Sequence, residues 1–512
     1  MYQTSPSGRH GRHAAVIGAS ISGLLTARVL SERFERVTLF DRDRLPHEPA
    51  NRGGVPQGRH GHGLLASGYQ GLTRLFPNLE TDLLAAGAVP GDVIGSVRWF
   101  QHGHYKAKYR SGLSGILMSR ALLEGTIRRQ VLRLPNVVLQ DGTRVLGLVS
   151  GGDVVKGLRV QSAGRDPESI EADLVVDASG RGSRTPAWLA ELGYGAPPVE
   201  EVRIDLGYTT RTFRRRPGEL GGDTGAILAP RPPRERRVGF MLAMEGERWI
   251  ATIGGWLGEH APADPEGYLA FARTLPRPDI YEVIRDAEPL TDPVRYSFPS
   301  NLRRRYDRLA AFPDGYLVVG DAICSFNPLY GQGMSVATLE ALTLGECLDR
   351  EPSAARVWRP FFRATKPLID TPWTIAAGSD FAFTGVTGPR PAGTAFVNWY
   401  LNHVHRAAST DRRVCRAFFD VANLLRPPTT LFRPAVVARV GLAVARAAAA
   451  AAARGPWVPE SLGPGSLGPH PSVPGPSVPG PTVPSPAVAG PSVADPSVPC
   501  PSVAVHQAGS RD

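Results

Sequence analysis

Residues His13 to Gly23 read His-Ala-Ala-Val-Ile-Gly-Ala-Ser-Ile-Ser-Gly, an apolar run that closes on Gly18 and is followed by a second apolar run through Leu30. A strand ending on Gly18 can turn sharply, and Gly23 lets the next helix lie close over that strand. The free N–H groups at the helix start then form a ready site for a pyrophosphate. Ser20 stands at the middle position of the usual G-x-G-x-x-G pattern. The run Val37-Thr-Leu-Phe ends in Asp41-Arg42, and Asp41 comes 23 residues after Gly18. A carboxylate at the end of a second strand suits the hydroxyls of an adenosine ribose. Turn, helix, strand and acid together read as a dinucleotide site with Gly18, Ser20, Ser22, Gly23, Asp41 and Arg42 as its candidates. A hydrolase nucleophile elbow is excluded, because that motif needs glycine where Ser22 stands.

A second chemical signal lies far downstream. Leu317-Val-Val-Gly320-Asp321 is again an apolar strand ending in a carboxylate, followed by Pro328, Gly331-Gln332-Gly333 and Met334 at the head of a helix. Asp321 could accept hydrogen bonds from a ribityl chain. The glycines bring helix N-terminal N–H groups close to a flat ligand, where they could stabilise charge on a reduced isoalloxazine.

In this order, these motifs resemble the single-component (group A) FAD-dependent monooxygenases of the para-hydroxybenzoate hydroxylase fold. Within that family the resemblance is closest to actinobacterial natural-product epoxidases and hydroxylases, and more distant to squalene epoxidase. It covers about residues 13–350 and implies FAD as cofactor and NAD(P)H as reductant. Three further segments fit. Arg52-Gly-Gly-Val-Pro-Gln-Gly-Arg-His60-Gly-His62 is similar to the loop after the second strand, which implies that Arg52 contacts the flavin or its diphosphate. Ser119-Arg120 is similar to a helix start whose arginine reaches the phosphate and ribityl region. Asp177-Ala-Ser-Gly-Arg-Gly-Ser183 stands at the family's Asp-Gly fingerprint, with Ser179 in place of the usual aspartate. The resemblance thus adds Arg52, Arg120, Asp321, Pro328, Gly331, Gly333 and Met334 as cofactor-binding candidates. Each arginine could equally be an ordinary surface residue. His60 and His62 read as loop histidines rather than metal ligands, since no carboxylate or cysteine partner accompanies them. No metal is expected, and no catalytic residue is nominated.

Positioning these residues requires an α/β architecture. Apolar runs at Ala14–Ile17, Val37–Phe40, Val137–Leu139, Leu174–Val176 and Tyr316–Val319 alternate with amphipathic stretches, the pattern of a parallel Rossmann-like sheet. Between about 200 and 300 the texture turns β-rich, with Val238–Met244 and Trp249–Gly254, and reads as an inserted sheet. There Phe240, Met241, Met244, Trp249 and Trp256 are pocket candidates or plain core. The expected divisions are 13–200 and 301–350 for the FAD-binding domain, 201–300 for a β-rich substrate domain, and 351–454 for a helical C-terminal region. Residues 455–512, with PSVPG-like repeats, read as a disordered Pro-rich tail. The Ala-rich stretch from Ala435 reads as a helix packed through its apolar face, with a membrane-surface helix as the rival.

Composition sets the outer limits. The chain has 512 residues, 42% of them hydrophobic, enough for a substantial core. No apolar run suffices for a transmembrane span, although peripheral membrane contact stays open, and no secretory signal is evident. Cys324, Cys347, Cys415 and Cys500 lie too far apart for a zinc motif or disulfide framework, so a cytoplasmic location is expected. The formal charge is +11, yet four lysines among the 58 basic residues point to a coding bias toward arginine. The Arg clusters lack interleaved aromatics, so nucleic acid is not an expected partner.

The resemblance implies an enzyme, an oxidoreductase using NAD(P)H and O2 to epoxidise or hydroxylate a hydrophobic small molecule, in secondary metabolism. The alternatives are an FAD-dependent reductase of isoprenoid double bonds and a non-catalytic FAD-binding protein.

Overall fold

In the computed structural model, residues 10–453 are described; the Pro-rich repeats therefore lie outside the described residues, as does Cys500. The first sheet has five strands in the order Tyr316–Val318, Leu174–Asp177, Gly11–Ile17, Phe34–Phe40, Val137–Gln140. Every pairing is parallel. Ala14 to Ile17, Val37 to Phe40 and Leu174 to Asp177 are buried, which is why those segments read as unbroken apolar runs rather than alternating ones. Ile17 pairs with both Phe40 and Asp177, and Asp177 with Val318. Gly18, Asp41, Ala178 and Val319 therefore emerge side by side at the carboxyl edge, where open α/β sheets bind ligands. Helices Ile21–Leu30 and Gly333–Arg350 belong to the same core, through Leu24, Leu25, Val336 and Leu344. The α/β fold class expected from the sequence is the one observed.

The second sheet has eight strands: Cys324–Ser325, Val294–Arg304, Val199–Arg214, Arg248–Gly255, Arg237–Met244, Gly225–Leu228, Val97–Gln101, His104–Tyr105. Its pairings are antiparallel except that Gly225–Leu228 runs parallel to Val97–Gln101. Side chains alternate across it. Phe213, Met241, Trp249, Ala251 and Ile253 pack against Tyr268, Phe271, Ile280 and Ile284 from helices Pro265–Arg273 and Asp279–Ile284. The opposite parity puts Thr210, Thr252, Phe240, Leu242 and Met244 on the other face. Of the residues left open between pocket and core, Met241 and Trp249 are core of the helix-covered face, because a strand cannot show consecutive residues to one side.

Four longer helices follow: Trp358–Asp380, Thr394–Ala407, Arg412–Ala422 and Pro434–Ala453. The last packs through Val440 beside Val404, Phe419 and Leu431, while Val437 and Leu442 stay exposed. Arg439 pairs with Asp411 at 2.8 Å. No helix among the described residues is long and apolar enough to cross a membrane. Cys324, Cys347 and Cys415 are free and buried.

Candidate functional site

The turn after the first strand depends on two glycines. Gly18 has φ +95°, and its N–H donates to Phe40 O at 2.7 Å. A Cβ on Gly23 would lie 1.8 Å from Gly18 O, so only hydrogen permits the helix to sit this close over the strand end. Ser20 is the helix N-cap residue, and its side chain makes no cap hydrogen bond. Instead Ser20 Oγ donates to Glu124 Oε2 at 2.9 Å and accepts from Arg120 Nη2 at 2.8 Å. Ser22 points elsewhere: its Oγ lies 2.5 Å from where a Gly320 Cβ would stand, so it packs against the second motif.

Beside the turn three carboxylates and three guanidinium groups interlock. Asp41 Oδ2 accepts from Ala19 N at 2.8 Å and Oδ1 from Asp43 N at 2.9 Å, which ties the second strand's end to the turn. Arg52 spans Asp41 at 3.3 Å, Asp43 at 2.9 Å and Glu124 at 3.1 Å. Arg120 meets Glu124 at 3.0 Å, and Arg128 approaches it at 3.9 Å. Burial opposes the charge on Glu124, but Arg120 and Arg52 outweigh it and hold the carboxyl below its ordinary range. Arg42 is exposed just past the strand. Arg52 and Arg120 are thus buried and organised rather than loose surface arginines. Glu124 was missed by sequence reasoning; its i,i+4 spacing from Arg120 is the signal that could have found it.

The second motif meets the first. Gly320 has φ +64°, and its N–H donates to Glu340 Oε2 at 2.6 Å. Asp321, His62 and Tyr330 are each partly buried. Burial raises the Asp321 pKa, while Arg120 and Arg181 pull it back, so the Arg120 charge is felt at the second motif. The loop from Arg52 to Gly63 spans both halves. Arg52 is locked at the first, and a Cβ on Gly63 would lie 3.7 Å from Gly331 Cα at the second. Gly331 has φ +65° and Gly333 opens the helix Gly333–Arg350. The Gln332 amide between them is buried with both polar atoms unpartnered. Pro328 is exposed at the start of the short turn Pro328–Tyr330. Met334 lies in the core cluster, so it could offer a ligand only its backbone.

The Arg52–Gly63 loop also touches the second sheet through His60. His60 Nδ1 lies 2.8 Å from Thr210 Oγ1, which lies 2.6 Å from Thr252 Oγ1. The His60 ring meets Tyr208 edge-on at 5.0 Å and Tyr296 at 5.4 Å. Burial, helped by Arg59, pushes His60 down to about 4, so it is neutral at pH 7. A Cβ on Gly61 would strike the Phe240 ring at 2.3 Å. Tyr208, Tyr296, Thr210 and Thr252 were not singled out from the sequence, because only strand register puts them on one face with Phe240. Among the described residues no group of three or more His, Cys, Asp or Glu is placed to hold a metal ion.

The Asp177 segment is a self-braced loop. Asp177 accepts from Ser179 N at 2.8 Å and from Ser183 Oγ and Thr185 Oγ1 at 2.5 Å each. Arg181 donates to Ser300 O at 2.7 Å and lies over the Phe298 ring.

An elongated ligand with a diphosphate centre suits this donor set. It has N–H groups at one helix start, a buried arginine between two motifs, and an unpartnered amide beside a second helix start. The chain is 34% identical over 469 residues to Protein Rv3254 of Mycobacterium tuberculosis, a match covering 85% of this chain and 93% of that protein. It is 25% identical over 383 residues to kynurenine 3-monooxygenase of Salinispora tropica, covering 71% and 78%. The solved structure of p-nitrophenol 4-monooxygenase PnpA from Pseudomonas putida DLL-E4 aligns with a TM-score of 0.55 at 18% identity, over 81% of this chain and 99% of that one. No family model matches the chain.

Proposed function

This chain belongs to the FAD-dependent monooxygenases of the para-hydroxybenzoate hydroxylase fold, and on that premise we propose that it uses NAD(P)H and O2 to epoxidise or hydroxylate a hydrophobic small molecule of secondary metabolism. The observation that carries the reading is the meeting of two motifs some 300 residues apart, with Ser22 against Gly320 and the Arg52–Gly63 loop reaching from Asp41 to Gly331. In this reading the turn Gly18–Gly23 and Arg120 hold the diphosphate, with Asp41 bracing the turn and Arg52 bracing Asp41 and Glu124. Asp321 and the backbone of Gly331, Gly333 and Met334 face the ribityl and ring portion. Bound FAD supplies the redox chemistry that takes reducing equivalents from NAD(P)H and passes one oxygen atom from O2 to the substrate.

The protein's part is binding, orientation and exclusion of water. Phe240, Leu242 and Tyr208 offer an apolar wall for the substrate, and neutral His60 and the two tyrosine hydroxyls offer polar contacts without a formal charge. That balance favours an uncharged, largely apolar substrate.

The test is purification followed by an absorption spectrum, then NADPH oxidation in air with candidate polyenes and aromatics. A yellow protein that releases FAD and consumes O2 only with a substrate supports the reading. Turnover with reductant under anaerobic conditions would favour a reductase, and a colourless protein that refuses added FAD would overturn the site.

A further inference from the structure

Asp380 ends the long helix Trp358–Asp380 and is fully buried. Four donors converge on its carboxylate, and none of them is a cation. Oδ1 accepts from Trp256 Nε1 at 2.9 Å, Asn327 Nδ2 at 2.9 Å and the Tyr330 hydroxyl at 3.1 Å. Oδ2 accepts from Asn301 Nδ2 at 2.8 Å. The asparagine orientations follow from the network itself. Asn301 Oδ1 accepts Asn327 N at 2.6 Å, and Asn327 Oδ1 accepts Leu329 N at 3.1 Å, so both Nδ2 groups must face Asp380. A side chain with any donor of its own at position 380 would confront these N–H and O–H groups. Only a carboxylate accepts on both oxygens.

The four donors come from separate parts of the fold. Trp256 follows the strand Arg248–Gly255, and Asn301 lies within Val294–Arg304. Asn327 and Tyr330 belong to the segment that leads directly into Gly331, Gln332 and Gly333. Tyr330 is covalently next to Gly331, whose φ of +65° turns the chain toward the helix start. The end of a C-terminal helix therefore grips both ends of the segment Asn327–Tyr330.

We propose that Asp380 is a positioning residue for the flavin end of the site: its carboxylate sets the segment Asn327–Tyr330, and through it the Gly331–Gly333 backbone that would meet the isoalloxazine. This rests on the FAD reading above and goes beyond it, because it assigns the C-terminal helical region a role in cofactor geometry. The role is local to one half of the ligand. Among the described residues, the hydrogen bonds to the Asp380 carboxylate come from Trp256, Asn301, Asn327 and Tyr330, none of them in the turn Gly18–Gly23 that would hold the ADP half.

That asymmetry supplies the test. Full-length wild type, Asp380→Asn and Tyr330→Phe, each freed of flavin, are titrated with FAD and separately with ADP. Asp380→Asn should weaken FAD binding about tenfold, the loss of one hydrogen bond to a charged group. Its ADP affinity should stay within about twofold of wild type, and at saturating FAD the visible absorption and circular dichroism of the flavin should change. Tyr330→Phe removes one donor and should weaken FAD binding about threefold, with ADP affinity again unchanged. If Asp380→Asn does not fold, Tyr330→Phe decides by the same split. Parallel loss of FAD and ADP affinity would overturn the proposal by showing a general structural role, as would unchanged FAD affinity and flavin spectra. A wild-type protein that binds ADP but not FAD would defeat the FAD reading itself, and the proposal with it.

Discussion

Gly23→Ala adds one methyl group where the fold has no room for it. The new Cβ would stand 1.8 Å from Gly18 O and 2.9 Å from Gly18 C, whereas ordinary contact begins at 3.4 Å. Relief requires the helix Ile21–Leu30 to back away by roughly 1.5 Å, yet eight of its ten residues are buried. Overpacking of this kind costs about 1–3 kcal/mol. The displaced atoms are the N–H groups that would face the diphosphate, so FAD affinity should fall at least tenfold, about 1.4 kcal/mol. Fluorescence titration with FAD and a thermal melt of the apoprotein measure the two effects separately. Gly195→Ala is the control, because a Cβ there meets nothing within 4 Å and the residue lies outside both motifs. Wild-type FAD affinity in Gly23→Ala would refute the assignment of this turn to the cofactor.

Three further outcomes follow from the same geometry. Arg52→Ala leaves Asp41, Asp43 and Glu124 short of their shared cation and should cost about 3–5 kcal/mol in urea unfolding; Arg52→Lys should recover little, because one ammonium cannot span all three. Burial pushes Glu340 up to about 8, so the folded chain keeps a proton that the unfolded chain releases above its ordinary value of 4.5. Stability should therefore be highest below pH 4.5 as far as this group is concerned and fall by on the order of 1 kcal/mol per pH unit as pH rises toward 8; Glu340→Gln should flatten that slope in apoprotein melts. Gly378→Ala, inside a helix and with nothing near the added Cβ, should raise stability by about 0.5–1 kcal/mol in the same melts.

Those parts of the fold governed by local rules were legible along the chain. A strand buried on both faces must be apolar throughout, and a tight strand-to-helix turn under a packed helix needs glycine. Gly18, Gly23, Gly320 and Gly331 therefore announced the two motifs; Asp41 directly follows its strand, whereas Asp321 lies three residues past Val318, in the turn Gly320–Ala322. The Arg52 loop and the Ser119–Arg120 helix start were legible only through family resemblance, since arginines in a loop or at a helix start carry no local signature of burial.

What one residue does for another far away was decided by tertiary structure. Glu124 meets Ser20 across 104 positions, and Asp380 meets Trp256 across 124, so no spacing rule could pair them. Strand parity put Phe240 and Met241 on opposite faces of the second sheet and turned Trp249 into core, although composition treated them alike. Packing also turned Ser22 toward Gly320 and buried the Met334 side chain. Backbone conformation is a property of a few neighbouring residues and can be read in order along the chain. The partner of a buried charge is set by the folded topology that first removes that charge from water.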